Sequence, residues 1–274
     1  MKFSQSSVVY INYTFQYAIR DLHQLGYDGI EVYGGRPHMY RDDLDEELDG
    51  ILALLEQFGM RVSNYIPAQF RYPAILCSEN EKVRRDTVEY LKTGIDNAVK
   101  IGAPTVDIIP GFGPFDRSLK TAWNQLKKTY RELLEYAQDK PVKFVIEHGH
   151  RYESNLICTI EECLRMIDEL KSDRVGVLVD TGHVHLNRER FGDIIPRCKG
   201  LPLHIHVDDN DGAFDSHLIP GLGTIPFDEL AEALDRIGYD GFLSGELGPK
   251  YIIEPTEPCR QTLEYMHRTF NRKQ

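Results

Sequence analysis

Short apolar runs alternate with amphipathic stretches along the chain. Runs such as VKFVIEHG and VGVLVDTGH are rich in β-branched residues, which is typical of buried strands. Between them, stretches such as TAWNQLKKTYRELLEYAQD carry apolar residues at helical spacing, and several end in a glycine that commonly follows a helix. The pattern predicts eight strands, at residues 3–11, 28–33, 61–66, 105–110, 142–148, 175–181, 202–208 and 241–247.

The alternation of strands and helices predicts βαβ units and therefore a parallel sheet. With right-handed crossovers, eight such units close into a (β/α)8 TIM barrel of the α/β class, and we expect a single domain over residues 1–274. A doubly wound open sheet is the competing architecture, but it normally carries a glycine-rich phosphate turn after its first strand. Here GGRPH follows the second strand, and the sequence contains no G-x-G-x-x-G.

Length and composition are those of an ordinary globular protein, and they disfavour two classes of partner. The 274 residues carry a formal net charge of −11, which argues against nucleic acid because phosphate binding requires a Lys/Arg surface. No run approaches the roughly 20 apolar residues that span a membrane, so we expect no membrane partner. The five cysteines are odd in number and include no C-x-x-C pair, which predicts reduced thiols and a cytoplasmic protein.

Polar residues follow four successive strand-like runs at their C-terminal ends: Glu147, Asp180, His206 and Glu246. In a (β/α)8 barrel these ends meet at one face, where active sites lie. Three carboxylates gathered there without a cation would cost several kcal/mol in repulsion and desolvation. The oxygen-rich set therefore predicts one divalent metal ion such as Mn²⁺, Mg²⁺, Co²⁺ or Zn²⁺.

Other polar residues lie near this predicted centre in the sequence. His183 follows Asp180 closely and could reach the mouth of the site, where it would contact substrate or a second metal. Asp215 and His217 form an Asp-x-His pair on the loop after the seventh strand, with substrate binding or a loop-bracing hydrogen bond as alternatives. Long loops also follow the second and third strands, and such loops shape the substrate pocket of a barrel.

Weaker candidates lie on or just after the second strand and on the seventh strand. Glu31, Arg36 and His38 are candidates for substrate recognition. Arg36 could hold a carboxylate or phosphate with two hydrogen bonds, and a surface ion pair is the alternative. His204 shares a strand face with His206, and we favour His206 as the ligand because it is nearer the C-terminal end.

Several motifs resemble the xylose isomerase-like sugar isomerase/epimerase superfamily of (β/α)8 barrels, over nearly the whole chain. They are IEHG at 146–149, VDTGH at 179–183, HIHVDD at 204–209, PGLGTIPF at 220–227 and SGEL at 244–247. The resemblance implies that Glu147, Asp180, His206 and Glu246 hold one divalent metal ion. It also implies that Glu147 and Glu246 are the catalytic acid/base pair. Mn²⁺ is the expected ion, with Mg²⁺, Co²⁺, Zn²⁺ and Ni²⁺ as alternatives.

Three further segments are similar to the fructoselysine 3-epimerase branch of that superfamily: 25–38, 152–159 and 215–223. The similarity implies a ketose 3-epimerase that removes a proton next to a carbonyl and passes through a cis-enediolate. The expected partners are a small sugar or sugar-amine substrate and further copies of the chain, in a dimer or tetramer.

Three alternatives use the same scaffold. One is an inosose-type dehydratase, and another is a non-catalytic sugar-binding barrel. The third is an endonuclease IV-type nuclease, whose zinc ligands match Asp215, His217, His183 and the four strand-end residues. That nuclease site also needs histidines on the third and fourth strands, which here end in NYIPAQF and DIIPGFG. The two missing histidines and the net charge of −11 argue against DNA repair.

Overall fold

A computed structural model describes residues 1–69 and 74–271. Its eight parallel strands form a closed barrel in sequence order, with β1 paired to both β2 and β8, which confirms the predicted fold class. The strands are β1 (Lys2–Ser6), β2 (Gly29–Gly34), β3 (Arg61–Pro67), β4 (Thr105–Ile108), β5 (Lys143–Glu147), β6 (Val175–Asp180), β7 (Leu203–Val207) and β8 (Phe242–Gly245). Residues 70–73 of the long loop after β3 lie outside the described residues.

Helices surround the barrel and cover its outer apolar surface. They are α1 (Phe15–Leu25), α2 (Leu44–Phe58), α3 (Glu81–Lys100), α4 (Leu119–Tyr136), α5 (Ile160–Leu170), α6 (Thr181–Leu186), α7 (Phe191–Ile194), α8 (Phe227–Ile237) and α9 (Thr256–Phe270). Short 3-10 helices occupy Ser7–Tyr10, Ile195–Cys198 and Pro249–Tyr251. Contacts between α9 and α1 close the outer ring. No helix in the described part of the chain is both long and apolar enough to cross a membrane.

The local sequence explains where several helices begin and end. Gly26 and Gly59 end α1 and α2 with φ of 98° and 63°, a left-handed conformation that glycine adopts without strain. At the start of α5, Thr159 and Glu162 form a reciprocal capping box. Asp180 ends β6 and also caps α6, because one of its carboxylate oxygens accepts a hydrogen bond from the His183 amide at 2.7 Å. This cap fixes the orientation of the Asp180 side chain.

Three predicted strands extend two or more residues beyond the observed end, and one of them is the fourth, which ends at Ile108 instead of residue 110. The first strand stops at Ser6 instead of residue 11, and the apolar residues Val8 to Tyr10 form a 3-10 turn. An apolar run cannot distinguish a strand from a buried turn, and here the Ser6 hydroxyl accepts from the Val8 amide and starts the turn. The last strand ends at Gly245, so Glu246 lies just beyond it, with its amide bonded to the Val207 carbonyl at 3.2 Å.

The interior of the barrel is polar, whereas the layer between strands and helices is apolar. Side chains such as Phe144, Leu22 and Leu126 fill the outer layer and are fully buried. Inside the barrel, by contrast, Glu31 and Asn64 are fully buried and hydrogen bond to each other. Buried polar groups of this kind are costly unless they are paired, so the barrel interior is built around a polar centre.

Gly176 on β6 is a position where the barrel tolerates no side chain. An added Cβ would lie 1.7 Å from the Pro202 carbonyl oxygen, which accepts a hydrogen bond from Val177 at 2.9 Å. We expect Gly176→Ala to lower the free energy of unfolding by about 1–3 kcal/mol, because the backbone of β7 must move. Urea denaturation measures this change.

Gly50 provides the control for that measurement. It lies on the exposed face of α2, and an added Cβ there meets no atom within 4 Å. Gly50→Ala should leave stability unchanged or raise it by up to about 1 kcal/mol. Equal stability of the Gly176→Ala and Gly50→Ala variants would contradict the steric account.

Candidate metal centre

The four residues predicted as metal ligands come together at the C-terminal end of the barrel. Glu147 ends β5, Asp180 ends β6, His206 lies on β7 and Glu246 follows β8. Asp180 and His206 are register partners on neighbouring strands, so their side chains leave the sheet on the same side. One ligand atom from each of the four residues lies within 4.8 Å of all the others.

The imidazole of His206 is the centre of this group. Its Nδ1 lies 2.9 Å from Glu246 Oε2, 3.3 Å from Glu147 Oε1 and 3.7 Å from Asp180 Oδ2. His206 and Asp180 are fully buried, yet His206 Nδ1 and Asp180 Oδ2 have no hydrogen-bond partner. Two buried polar atoms left unpaired beside two more carboxylates fit a divalent cation held between them.

Charge in the cluster points to the same conclusion. Burial lowers the pKa of His206, but Glu246 and Glu31 together raise that pKa well above its ordinary value. Burial raises the pKa of Glu147 to about 7, although His206 opposes this shift. The cluster therefore favours a positive charge at its centre. A bound cation would supply that charge and lower the pKa of the carboxyl groups around it.

Glu31 orients His206 from below. Its Oε1 lies 3.0 Å from His206 Nε2, and its carboxylate also accepts hydrogen bonds from Asn64 and Ser244. Burial acts to raise the pKa of Glu31, but His206 and His204 hold it well below its usual range, so the group is ionised. An ionised carboxylate only accepts, so His206 Nε2 carries the hydrogen that points to Glu31, and in the neutral imidazole Nδ1 is then the nitrogen whose lone pair faces the centre.

The structure therefore corrects our expectation for Glu31. Instead of contacting substrate, it is fully buried and engaged by other side chains. His204 Nε2 also faces this carboxylate, at 2.9 Å. His206 is the histidine that reaches the carboxylates of the centre, as the order along the strand predicts.

A second polar group lies beside the centre and includes three predicted residues: His183, Asp215 and His217. His183 Nδ1 contacts the His148 carbonyl oxygen at 2.7 Å, so its Nε2 faces Asp215 Oδ2 at 3.5 Å. His217 Nε2 approaches the same oxygen at 3.0 Å. The structure thus places all three next to the four-residue centre, and His183 and His217 line its cavity.

The sequence interpretation missed three members of this neighbourhood. Glu153 Oε2 lies 3.1 Å from His183 Nε2, His150 Nε2 lies 3.5 Å from Asp215, and Asp208 Oδ2 lies 3.2 Å from His217 Nδ1. The signal for two of them was the dense run EHGHRYE directly after β5. Ligand atoms of His150, Glu153, His183 and Asp215 also lie within 4.8 Å of one another.

Two predicted substrate-binding residues are not brought to the centre. Arg36 forms two hydrogen bonds with Asp43 at 2.5 and 2.9 Å, and its side chain is 66% exposed. This is the surface ion pair that was its alternative. His38 is buried, and its ring nitrogens contact the Ser7 hydroxyl and the Tyr10 carbonyl oxygen. Neither Arg36 nor His38 lines the cavity, because local contacts already occupy them.

The cavity above the centre has a volume of about 390 Å³. Its polar lining includes Glu147, Glu246, Glu153, His183 and His217. Ile66, Ile109 and Leu247 belong to its apolar lining. We call this space the reaction cavity. The cavity is suited to a small polar molecule, one side of which is less polar than the rest.

Comparison with known proteins places these features in context. A family model described as a xylose isomerase-like TIM barrel matches residues 19–269. Fructoselysine 3-epimerase of Shigella flexneri is 32% identical over 250 residues, which cover 91% of each chain. D-psicose 3-epimerase of Agrobacterium fabrum is 25% identical over 229 residues, or 81% of this chain and 75% of that protein.

Solved structures show the same fold. A D-tagatose 3-epimerase-like protein superposes with a TM-score of 0.81 at 24% identity and covers 98% of this chain and 99% of its own. An IOLI protein with a zinc atom has a TM-score of 0.83 at 19% identity, with 99% and 98% covered. At these identities the likeness concerns the fold alone.

The role of Glu31 yields a test of the centre. We expect Glu31→Gln to weaken divalent-metal affinity by about 10–100-fold, because loss of the charge weakens the orientation and basicity of His206. Isothermal titration with Mn²⁺ measures this change. Glu254→Gln, at an exposed position, is the matched control and should bind as the wild type does. Unchanged affinity in Glu31→Gln would contradict the support role.

Proposed function

The chain belongs to the xylose isomerase-like TIM-barrel family, and from that premise we propose that it is a divalent-metal-dependent sugar epimerase that inverts C3 of a ketose. The observation that carries the proposal is the convergence of two glutamates from β5 and from the end of β8 on one centre. The similarity to fructoselysine 3-epimerase over 91% of the chain supports the reaction type.

We propose that Glu147, Asp180, His206 and Glu246 hold the metal ion. When bound, the ion would act as a Lewis acid that offsets the negative charge developing on the substrate oxygens. The oxygen-rich ligand set supports Mn²⁺, with Mg²⁺, Co²⁺, Zn²⁺ and Ni²⁺ as alternatives. The group fits because the unpaired atoms of His206 and Asp180 face the space between the carboxylates.

Proton transfer is assigned to Glu147 and Glu246. They reach His206 from different strands, so a sugar carbon placed between them would be open to one carboxyl group on each face. One glutamate removes the C3 proton, and the electron pair left behind forms the cis-enediolate with the C2 carbonyl. The other glutamate, as a carboxylic acid, delivers a proton to the opposite face. This exchange inverts C3 and leaves the mass of the sugar unchanged.

Residues of the second polar group are proposed to orient the substrate. Glu153, His183 and His217 line the reaction cavity and can hydrogen bond sugar hydroxyls. Asp215 fixes the two imidazoles from behind, at 3.5 Å from His183 and 3.0 Å from His217. Such support limits the freedom of the groups that contact substrate, which lowers the entropy cost of binding.

The cavity wall argues against the nuclease alternative. A trinuclear zinc site of that type needs imidazoles at the ends of the third and fourth strands. Here Ile66 at the end of β3 and Ile109 just after β4 line the cavity. Apolar side chains at these positions offer no ligand to a metal ion, so the site is suited to one ion at the predicted centre.

Three further expectations accompany this proposal. All five cysteines are free thiols, which supports a cytoplasmic location. A dimer or tetramer remains our expectation for the assembly. The closed barrel, whose strand order runs without interruption from β1 to β8, supports a single domain over residues 1–274.

Substitution of the two glutamates tests the mechanism. We expect Glu147→Gln and Glu246→Gln each to lower the rate of C3 proton exchange by at least about 100-fold, because each removes one proton-transfer group. The rate is measured by NMR in D₂O with Mn²⁺-loaded protein and fructose, psicose, tagatose and fructoselysine. Deuterium at C3 together with a new epimer is the expected result.

The controls separate chemistry from folding and from other reactions. The exposed Glu254→Gln variant should exchange at the wild-type rate. Near-normal exchange in either active-site variant would refute the two-glutamate scheme. Loss of water from the substrate would instead identify a dehydratase.

A further inference from the structure

A second, smaller cavity lies beside the second polar group. It has a volume of about 240 Å³ and lies between the loops that follow β5 and β7 and the end of α6. We call it the rear cavity and define it by residues 150–152, 186–188 and 212–215. Among the described residues, it has no lining residue in common with the reaction cavity. The rear cavity is therefore a separate space, which the proposed reaction does not use.

Hydrogen bonds hold the walls of the rear cavity together. Asn187 joins the end of α6 to the loop after β5, because its side-chain amide donates to the Gly149 carbonyl oxygen at 2.9 Å. Asn210 joins the loop after β7 to the start of α6. Its side chain donates to the Gly182 carbonyl oxygen at 3.1 Å and accepts from the Gly212 amide at 2.9 Å. The walls are thus in place before any ligand binds, which is the usual condition of a small-molecule site.

Two arginines line the rear cavity without a carboxylate partner. The Arg151 guanidinium lies 4.7 Å from the centroid of the Tyr152 ring and donates to the Tyr152 hydroxyl at 2.7 Å. In the described part of the chain, neither Arg151 nor Arg188 forms an ion pair. A phosphate monoester carries up to two negative charges and three acceptor oxygens, so it suits two planar guanidinium groups better than a carboxylate does.

The backbone at Arg188 also indicates a function for this side chain. Arg188 lies two residues beyond α6 with φ of 58°, in the left-handed region. Glycine is the usual residue just after a helix in this conformation, because a Cβ atom strains it. Strained backbone of this kind is concentrated at ligand-binding and catalytic sites.

Asp215 offers the rear cavity an unused hydrogen-bond acceptor. Its Oδ2 faces the imidazoles of His183 and His217, whereas its Oδ1 is buried and has no hydrogen-bond partner. Burial acts to raise the pKa of Asp215, but His183 and His217 hold it well below its usual range, so the carboxyl group is ionised. An ionised carboxylate only accepts, so a ligand beside it must present a donor such as a hydroxyl group.

The remaining lining limits the size and the character of a ligand. Tyr152 and Phe214 are 57% and 68% exposed, and they offer ring faces to the carbon skeleton of a bound molecule. The volume of about 240 Å³ lies below the roughly 300–1,000 Å³ of sites for drug-sized ligands. A compact molecule of three or four carbons therefore suits the rear cavity.

We propose that the rear cavity binds a small phosphorylated polyol, at a site separate from the metal centre and the reaction cavity. Arg151 and Arg188 pair with the phosphate, and a hydroxyl group donates to Asp215 Oδ1. The carbon chain between these ends packs against Tyr152 and Phe214. This site does not depend on the epimerase reaction, so binding alone tests it.

Three probes isolate the parts of the proposed ligand: glycerol 3-phosphate, propyl phosphate, which lacks the hydroxyl groups, and glycerol, which lacks the phosphate. Isothermal titration of the Mn²⁺-loaded full-length protein should give the tightest binding for glycerol 3-phosphate. Propyl phosphate should bind about three- to tenfold more weakly, because the hydrogen bond to Asp215 is lost. Glycerol should show no measurable binding.

Variants of the two arginines locate the bound phosphate. Arg151→Gln and Arg188→Gln should each weaken the affinity for glycerol 3-phosphate about fivefold or more, because each removes a charged hydrogen-bond donor. Arg190→Gln is the matched control and should bind as the wild type does. Arg190 is 73% exposed, lies 3.6 Å from Glu229 and does not line the rear cavity.

A second titration, after removal of the metal ion with EDTA, distinguishes the rear cavity from the metal centre. The affinity for glycerol 3-phosphate should be unchanged, because the rear cavity contains none of the four metal ligands. Binding that disappears with the metal ion would place the phosphate at the metal centre and overturn the proposal. Equal affinity in the wild type, Arg151→Gln and Arg188→Gln would also overturn it, as would the absence of binding.

Discussion

Repulsion among carboxylates held out of water is the constraint on which this site depends. Glu147, Asp180 and Glu246 surround the single nitrogen His206 Nδ1 within 3.7 Å, at the end of a closed barrel that admits little solvent. Such a group is stable only with positive charge at its centre. Glu31 determines which side of the His206 ring faces the carboxylates. It contacts Nε2, the opposite nitrogen of the imidazole, and leaves Nδ1 free to face them.

The barrel supplies the geometry for this arrangement without any special local sequence. Parallel strands bring their C-terminal ends to one face, and the register pairs Asp180 with His206 directly. The loops on that face contribute further polar residues around the centre. Glu153 contacts the imidazole of His183 beside the four-residue centre, and Asp215 contacts the imidazoles of His183 and His217.

The fold and the four central residues could be predicted from the sequence because both follow from strand ends. An apolar run that stops at an acidic residue or a histidine predicts a strand, and it also places that polar residue at the C-terminal end of the barrel. The role of Glu31 could not be predicted in this way, since it depends on contact between residues 175 positions apart in the chain. The same limit applies to Glu153 and His150, which lie on a loop whose path no periodicity determines. Val8 to Tyr10 show the opposite error. These apolar residues were predicted as part of a strand, but they are part of a 3-10 turn.

Anomalous diffraction from crystals soaked in Mn²⁺ tests the central claim most directly, because it locates the ion without relying on turnover. The account predicts one strong peak in contact with Glu147, Asp180, His206 and Glu246, and loss of that peak in Asp180→Ala. A peak confined to the neighbouring group of His150, Glu153, His183 and Asp215, or one that persists unchanged in Asp180→Ala, would contradict it.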